Sequence, residues 1–146
     1  MELIKVNSKK QPKEIVEEIK SNASKFDFIV RETFDMGKQF QSHGIDVDLD
    51  FEYYSIMVCN PKKAYQSIKA SPLRGAVLLP PKQIVVYKDL KTNQTVIAYM
   101  KLDKKSISEI MPDDIMFQEG LEGSCDQIIK LIKSVGDNNE IWNKIW

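Results

Sequence analysis

The strongest punctuation in this sequence is Asn60-Pro61. Residues 51–59 are dense in β-branched and aromatic side chains and read as a strand. Pro61 has no N–H to give a sheet ladder, yet its fixed φ suits the first turn of a helix. Asn60, just before it, is a favoured N-cap. Ala64, Tyr65 and Ile68 then recur at helical spacing until Ser71-Pro72 stops the run. A strand handed directly to a helix commits the chain to mixed α and β structure.

The remaining segments extend that alternation. Residues 3–6 read as a first strand, followed by a helix with Pro12 in its opening turn, Ile15, Val16 and Ile19 on one face, and Ser21-Asn22 at its end. Residues 26–34 form a second strand, and a short helix over 36–42 closes at His43-Gly44. Strands are expected at 76–79 and 84–87, separated by Pro80-Pro81, where two missing donors demand a bend or an edge close to Cys59. A hairpin loop over 89–93 leads into a strand at 95–100. Helices follow at 106–111 and about 124–135, the latter opened by the capping pattern Ser124-x-x-Gln127, and then a helical stub spans 138–146. The order β-α-β-α-β-α-β-β-β-α, with hairpins in place of regular crossovers, argues an α+β fold: an antiparallel sheet backed by helices. Residues 1–105 form the core domain and residues 106–146 a helical C-terminal extension packed on it. Trp142 and Trp146, with Ile141 and Ile145 at helical spacing, either pack on the chain's own sheet or mark an interface, and the expectation is that at least one tryptophan contacts a partner subunit.

Composition excludes several function classes. The 146 residues suit one domain, with 42% hydrophobic and 29% charged residues, as a globular chain requires. Apolar runs such as 56–59 and 76–79 fall far short of the roughly 20 residues of a membrane helix. An acid at position 2 and no apolar stretch behind it leave no signal peptide, so a cytosolic setting is expected and a disulfide between Cys59 and Cys125 is not. The single histidine, His43, cannot build a zinc site of the usual kinds, and the six glycines form neither GxGxxG nor a P-loop. Net charge is zero but blocked: +2 over residues 1–25, −5 over 26–60, +8 over 61–105 and −5 over 106–146. Such blocks meet either within one fold or across a dimer.

The stretch from Tyr54 to Tyr65, with Leu78-Leu79-Pro80 and residues 84–87, resembles the family called domain of unknown function 302. The matching positions are Tyr54, Ile56, Cys59, Asn60, Pro61, Ala64, Leu78, Leu79, Pro80, Val85 and Tyr87, within roughly residues 44–102. The resemblance implies a fold similar to the TATA-binding-protein-like α+β class and a single-copy domain that forms homodimers. It implies no reaction and no cofactor. Pro81 stands where the family often has a second cysteine, which argues against metal or redox chemistry shared by two thiols.

Several residues carry a functional and a plain reading side by side. Cys59 is either a thiolate activated by Lys62, Lys63 and the following helix N-terminus or a small core residue. Asn60 reads as the cap of that helix. Cys125 follows Gly123-Ser124 in an expected first turn, but Glu119, Glu122 and Asp126 oppose its ionisation. His43 suits a helix C-terminus as well as it suits a general base. Asp46, Asp48 and Asp50 open like a calcium loop, yet Phe51 and Met57 occupy the positions where glycine and the bidentate acid belong, so the segment reads as a half-exposed extended stretch. The ten cations of residues 61–105 include one arginine and few neighbouring aromatics, a poor nucleic-acid footprint. The expected function is a homodimeric module binding a small ligand where Tyr54, Cys59, Asn60 and Pro80 converge. Thiol-based redox or enzyme chemistry at Cys59 is the first alternative, and nucleic-acid binding through residues 62–105 the second.

Overall fold

The computed structural model describes residues 1–78, 82–137 and 140–144, the last of these by backbone alone. In chain order, β1 (Glu2–Ser8) leads to α1 (Pro12–Asn22), a 3-10 turn (Ala23–Phe26), β2 (Ile29–Asp35) and α2 (Met36–Ser42). Next come β3 (Tyr53–Cys59), α3 (Pro61–Ala70), a second 3-10 turn (Pro72–Arg74) and α4 (Gly75–Leu78). The hairpin of β4 (Gln83–Asp89) and β5 (Gln94–Lys101) precedes α5 (Lys104–Ile110), α6 (Ile115–Val135) and β6 (Glu140–Lys144).

The strands form one six-stranded sheet in the order β2-β3-β4-β5-β1-β6, every neighbouring pair antiparallel. The α+β antiparallel architecture expected from the sequence is therefore the one observed. Strand periodicity sends Ile4, Val6, Ile56, Val58, Ile84, Val86, Ile97 and Tyr99 to one face, all essentially inaccessible. Ile15, Val16 and Ile19 of α1 and Leu121, Cys125, Ile128, Ile129 and Ile132 of α6 cover that face in a single core. On the opposite face Lys5, Met57, Val85 and Ala98 remain half-buried. A row of rings crosses that side: Phe40 against Phe51 at 6.1 Å, Phe51 stacked on Tyr53 at 6.1 Å, and Tyr53 stacked on Tyr87 at 5.5 Å.

Three local assignments differ from the sequence reading. Residues 75–78 form the helical turn α4, not a strand; a four-residue apolar run lacks the length to declare its period, and the preceding 3-10 turn carries the chain on in helical geometry. Residues 140–144 form β6, not a helical stub. Ile and Trp favour strands, and the outer edge of β1 offers unpaired donors and acceptors in register from Val6↔Glu140 to Glu2↔Lys144. Finally, α6 begins nine residues earlier than the expected helix, with Asp114 accepting from Phe117 N at 3.2 Å as its cap, so Ser124 and Gln127 lie mid-helix and cap nothing. The Pro80-Pro81 bend, Leu79, Trp146 and the Trp142 side chain lie outside the described residues.

Candidate functional site

Where β3 gives way to α3, the N-terminal half of α6 stands across a gap. Asn60 makes this junction: its side-chain oxygen accepts from Lys63 N at 3.1 Å and caps α3, as its sequence position predicts. The gap is a cleft of about 410 Å3. Met57, Val58 and Cys59 form its sheet end, α3 contributes Lys63, Ala64, Ser67 and Ile68, and α6 contributes Met116, Phe117, Gly120, Leu121 and Ser124. Arg31, Arg74, Leu78 and Lys82 complete the walls. Among the described lining residues four are cations and none is a carboxylate.

Each cation arrives by a different structural device. Arg31 is the residue left over where the β2–β3 register shifts between Val30 and Glu32, and a bulge of this kind re-aims a side chain. Arg74 is a clamp between the two helical walls. Its Nε and Nη2 donate to Asp114 Oδ2 and Oδ1 at 2.7 and 2.8 Å, its Nη1 donates to the Ser67 carbonyl at 3.2 Å, and its guanidinium lies 5.5 Å from the Phe117 ring centroid. That pairing raises the Arg74 pKa and holds Asp114 below the ordinary carboxylate value, so both charges persist. Lys63 extends from the first turn of α3.

Lys82 is the unusual member. It immediately precedes Gln83, which pairs with Met57, so it enters the sheet beside the cleft floor. Its ammonium donates to Ser124 Oγ and lies 5.3 Å from the Phe28 ring centroid. No salt bridge to a carboxylate reaches Lys82 among the described residues. Burial lowers its pKa, the thiols of Cys125 and Cys59 oppose that, and Lys63 lowers it further.

The sequence-derived site residues separate. Cys59, half-buried, and Asn60 line the cleft. Tyr54 does not: five residues back along β3, at ~3.3 Å each, it stands about 16 Å from Cys59, packed against the core beside Asp35 and Val86. Burial raises its hydroxyl pKa, with Asp35 and Glu52 adding to the rise. Pro80 lies outside the described residues. Cys125 is a core residue in mid-helix, fully inaccessible, its thiol pushed up by burial despite hydrogen bonds with Tyr99 and the Leu102 backbone. His43 is exposed and caps α2. The acidic stretch 46–52 is an exposed loop with Leu49 wholly outside and Ile45 at 56%, so its alternation marks no half-buried strand. No group of three metal-ligating side chains occurs among the described residues.

Arg31, Arg74 and Lys82 were missed by motif reasoning. One compositional signal did point to two of them: Arg31 and Arg74 are the only arginines among 21 basic residues, and both end in this cleft. Nothing in the sequence separates Lys82 from the nine cations around it.

The family profile described as "Domain of unknown function DUF302" matches residues 4–138. A similar solved structure is the crystal structure of an uncharacterized conserved DUF302 protein from Bacillus stearothermophilus. It is 22% identical, with a TM-score of 0.65, and the similarity covers 92% of this chain and 95% of that one. No curated protein matches the chain. No helix among the described residues is long and apolar enough to cross a membrane.

Proposed function

The chain belongs to the DUF302 family, and from that premise we propose that it is a binding module for a small apolar anion, a carboxylate on a hydrocarbon body, held in the cleft between α3 and α6. One observation carries this reading: among the described residues, four cationic side chains and no acidic one line a cleft whose remaining wall is largely Met57, Ile68, Leu78, Met116, Phe117 and Leu121. The volume falls in the range of small-molecule pockets, and two methionines give the wall an adaptable surface. Arg74 is committed to Asp114 and Lys82 is held by Ser124, which leaves Arg31 and Lys63 as the charges free to meet a carboxylate. Cys59 serves as a wall contact; Cys125 sits in the core and offers no second thiol to the cleft.

Octanoate tests the reading by calorimetry and thermal shift. Binding should raise Tm, and Arg31→Ala or Lys63→Ala should each weaken it by roughly 10-fold, the scale of one hydrogen bond to a charged group. Octanoate that neither binds nor stabilises the native chain overturns the proposal. The module is further proposed to act as a homodimer through the half-buried sheet face with its aromatic row, where Phe40 and Phe51 stay 40% and 37% exposed. A monomeric mass by light scattering at micromolar concentration would remove that part.

A further inference from the structure

Resting on the anion-binding reading, we infer that Lys82 captures the ligand covalently and reversibly as an imine, which makes the ligand an oxo acid: a carbonyl carbon at Lys82, a carboxylate against Arg31 and Lys63, and an apolar tail along α6. The other cleft cation drawn into the walls, Arg74, has a bidentate carboxylate partner; Lys82 has a hydroxyl and a ring face. An ammonium drawn partly out of water, with no carboxylate against it among the described residues, is costly, so the site shifts the balance toward the neutral amine. Lys63 adds like-charge pressure in the same direction. Desolvation beside a second cation is the combination that turns a lysine into a nucleophile. The same placement leaves the amine on an open cleft wall where a ligand can reach it.

The step balances without a redox partner. The nitrogen lone pair forms the new C–N bond while the carbonyl π pair moves to oxygen. Both amine hydrogens then leave with that oxygen as water, and the product is the imine of Lys82. Water reverses the sequence and restores amine and carbonyl. Ser124 Oγ, hydrogen-bonded to the Lys82 nitrogen in the free protein, is placed to hold that nitrogen during addition and to pass a proton between it and the departing oxygen.

The test incubates the full chain with 2-oxooctanoate and sodium cyanoborohydride at neutral pH, then maps the reduced adduct by peptide mass. Labelling should concentrate at Lys82 several-fold over the other lysines, since burial lowers its pKa and so enlarges its neutral fraction. Octanoate should compete it away, and both Lys82→Met and Lys82→Arg, the second keeping the charge, should abolish it. Adduct spread evenly over the lysines, or unchanged in either variant, overturns the inference. Octanoate binding to native protein and to Lys82→Met, with no adduct from the oxo acid, overturns the imine and leaves the anion-binding reading standing. Failure of octanoate and 2-oxooctanoate alike to bind overturns both.

Discussion

Thr33 sits in β2 with its hydroxyl oxygen buried and, among the described residues, without a hydrogen-bond partner. A buried hydroxyl left unpaired costs about 1–3 kcal/mol, and valine fills nearly the same space. Thr33→Val is expected to stabilise the fold by about 1 kcal/mol, seen as a rise in the urea midpoint with the m-value unchanged. Lys82 makes a pH-dependent case. Its folded pKa lies below the ordinary 10.5, so between the two values the unfolded chain holds more protons and native stability rises with pH. Lys82→Met should therefore raise Tm most below the folded pKa, and the gain should fade as the pH climbs toward 10.5. A gain that stays constant over that range would mean that burial does not govern the amine. The cap at Asn60 was readable from its place before Pro61 because capping is local chemistry. Lys82 was not, because its burial depends on α6, some forty residues away.

Gly123 inside α6 and Gly136 at its C-cap have opposite consequences. At Gly123 nothing lies within 4 Å of where a Cβ would stand, while at Gly136 that atom would fall 1.9 Å from Val6 Cγ1. Gly136 also passes the chain to Asp137, whose N–H donates to the Asn7 carbonyl at 2.9 Å and so holds the helix end against β1. Gly123→Ala should stabilise the protein by about 0.5–1 kcal/mol through helix propensity. Gly136→Ala should destabilise it by about 1–3 kcal/mol through overpacking, with chemical denaturation as the check for both. Helices with local punctuation were legible: α1 and α3 begin at their prolines, and α2 ends at Gly44 with φ +78°. The errors cluster where tertiary context decides. Residues 140–144 become a strand only because β1 presents an open edge, and the early turns of α6 are amphipathic only with respect to a core and a cleft that other elements build.

At the scale of the whole molecule, the charge blocks find each other within one chain. Arg74 pairs with Asp114, Lys101 with Asp126 and Lys104 with Glu119, tying the basic segment 61–105 to the acidic segment 106–146. With Lys82 drawn inward as well, four of the ten cations are withdrawn from a basic face. The chain is expected to pass unretained over a DNA or heparin column at about 0.15 M salt, where a true phosphate footprint would hold it. Retention released only by much higher salt would contradict that distribution. The sheet order has a consequence for how the protein is made. Strand β1 leaves the ribosome before both of its neighbours, β5, roughly ninety residues later, and β6, later still. At ~5–20 residues per second, β1 waits about 5–20 s before β5 exists to pair with it. Throughout that interval Leu3, Ile4 and Val6 belong to a ribbon with both edges open, guarded by the charges of Glu2 and Lys5. Synthesis rate and chaperone contact at this strand thus bear on yield before the helices that later cover it exist.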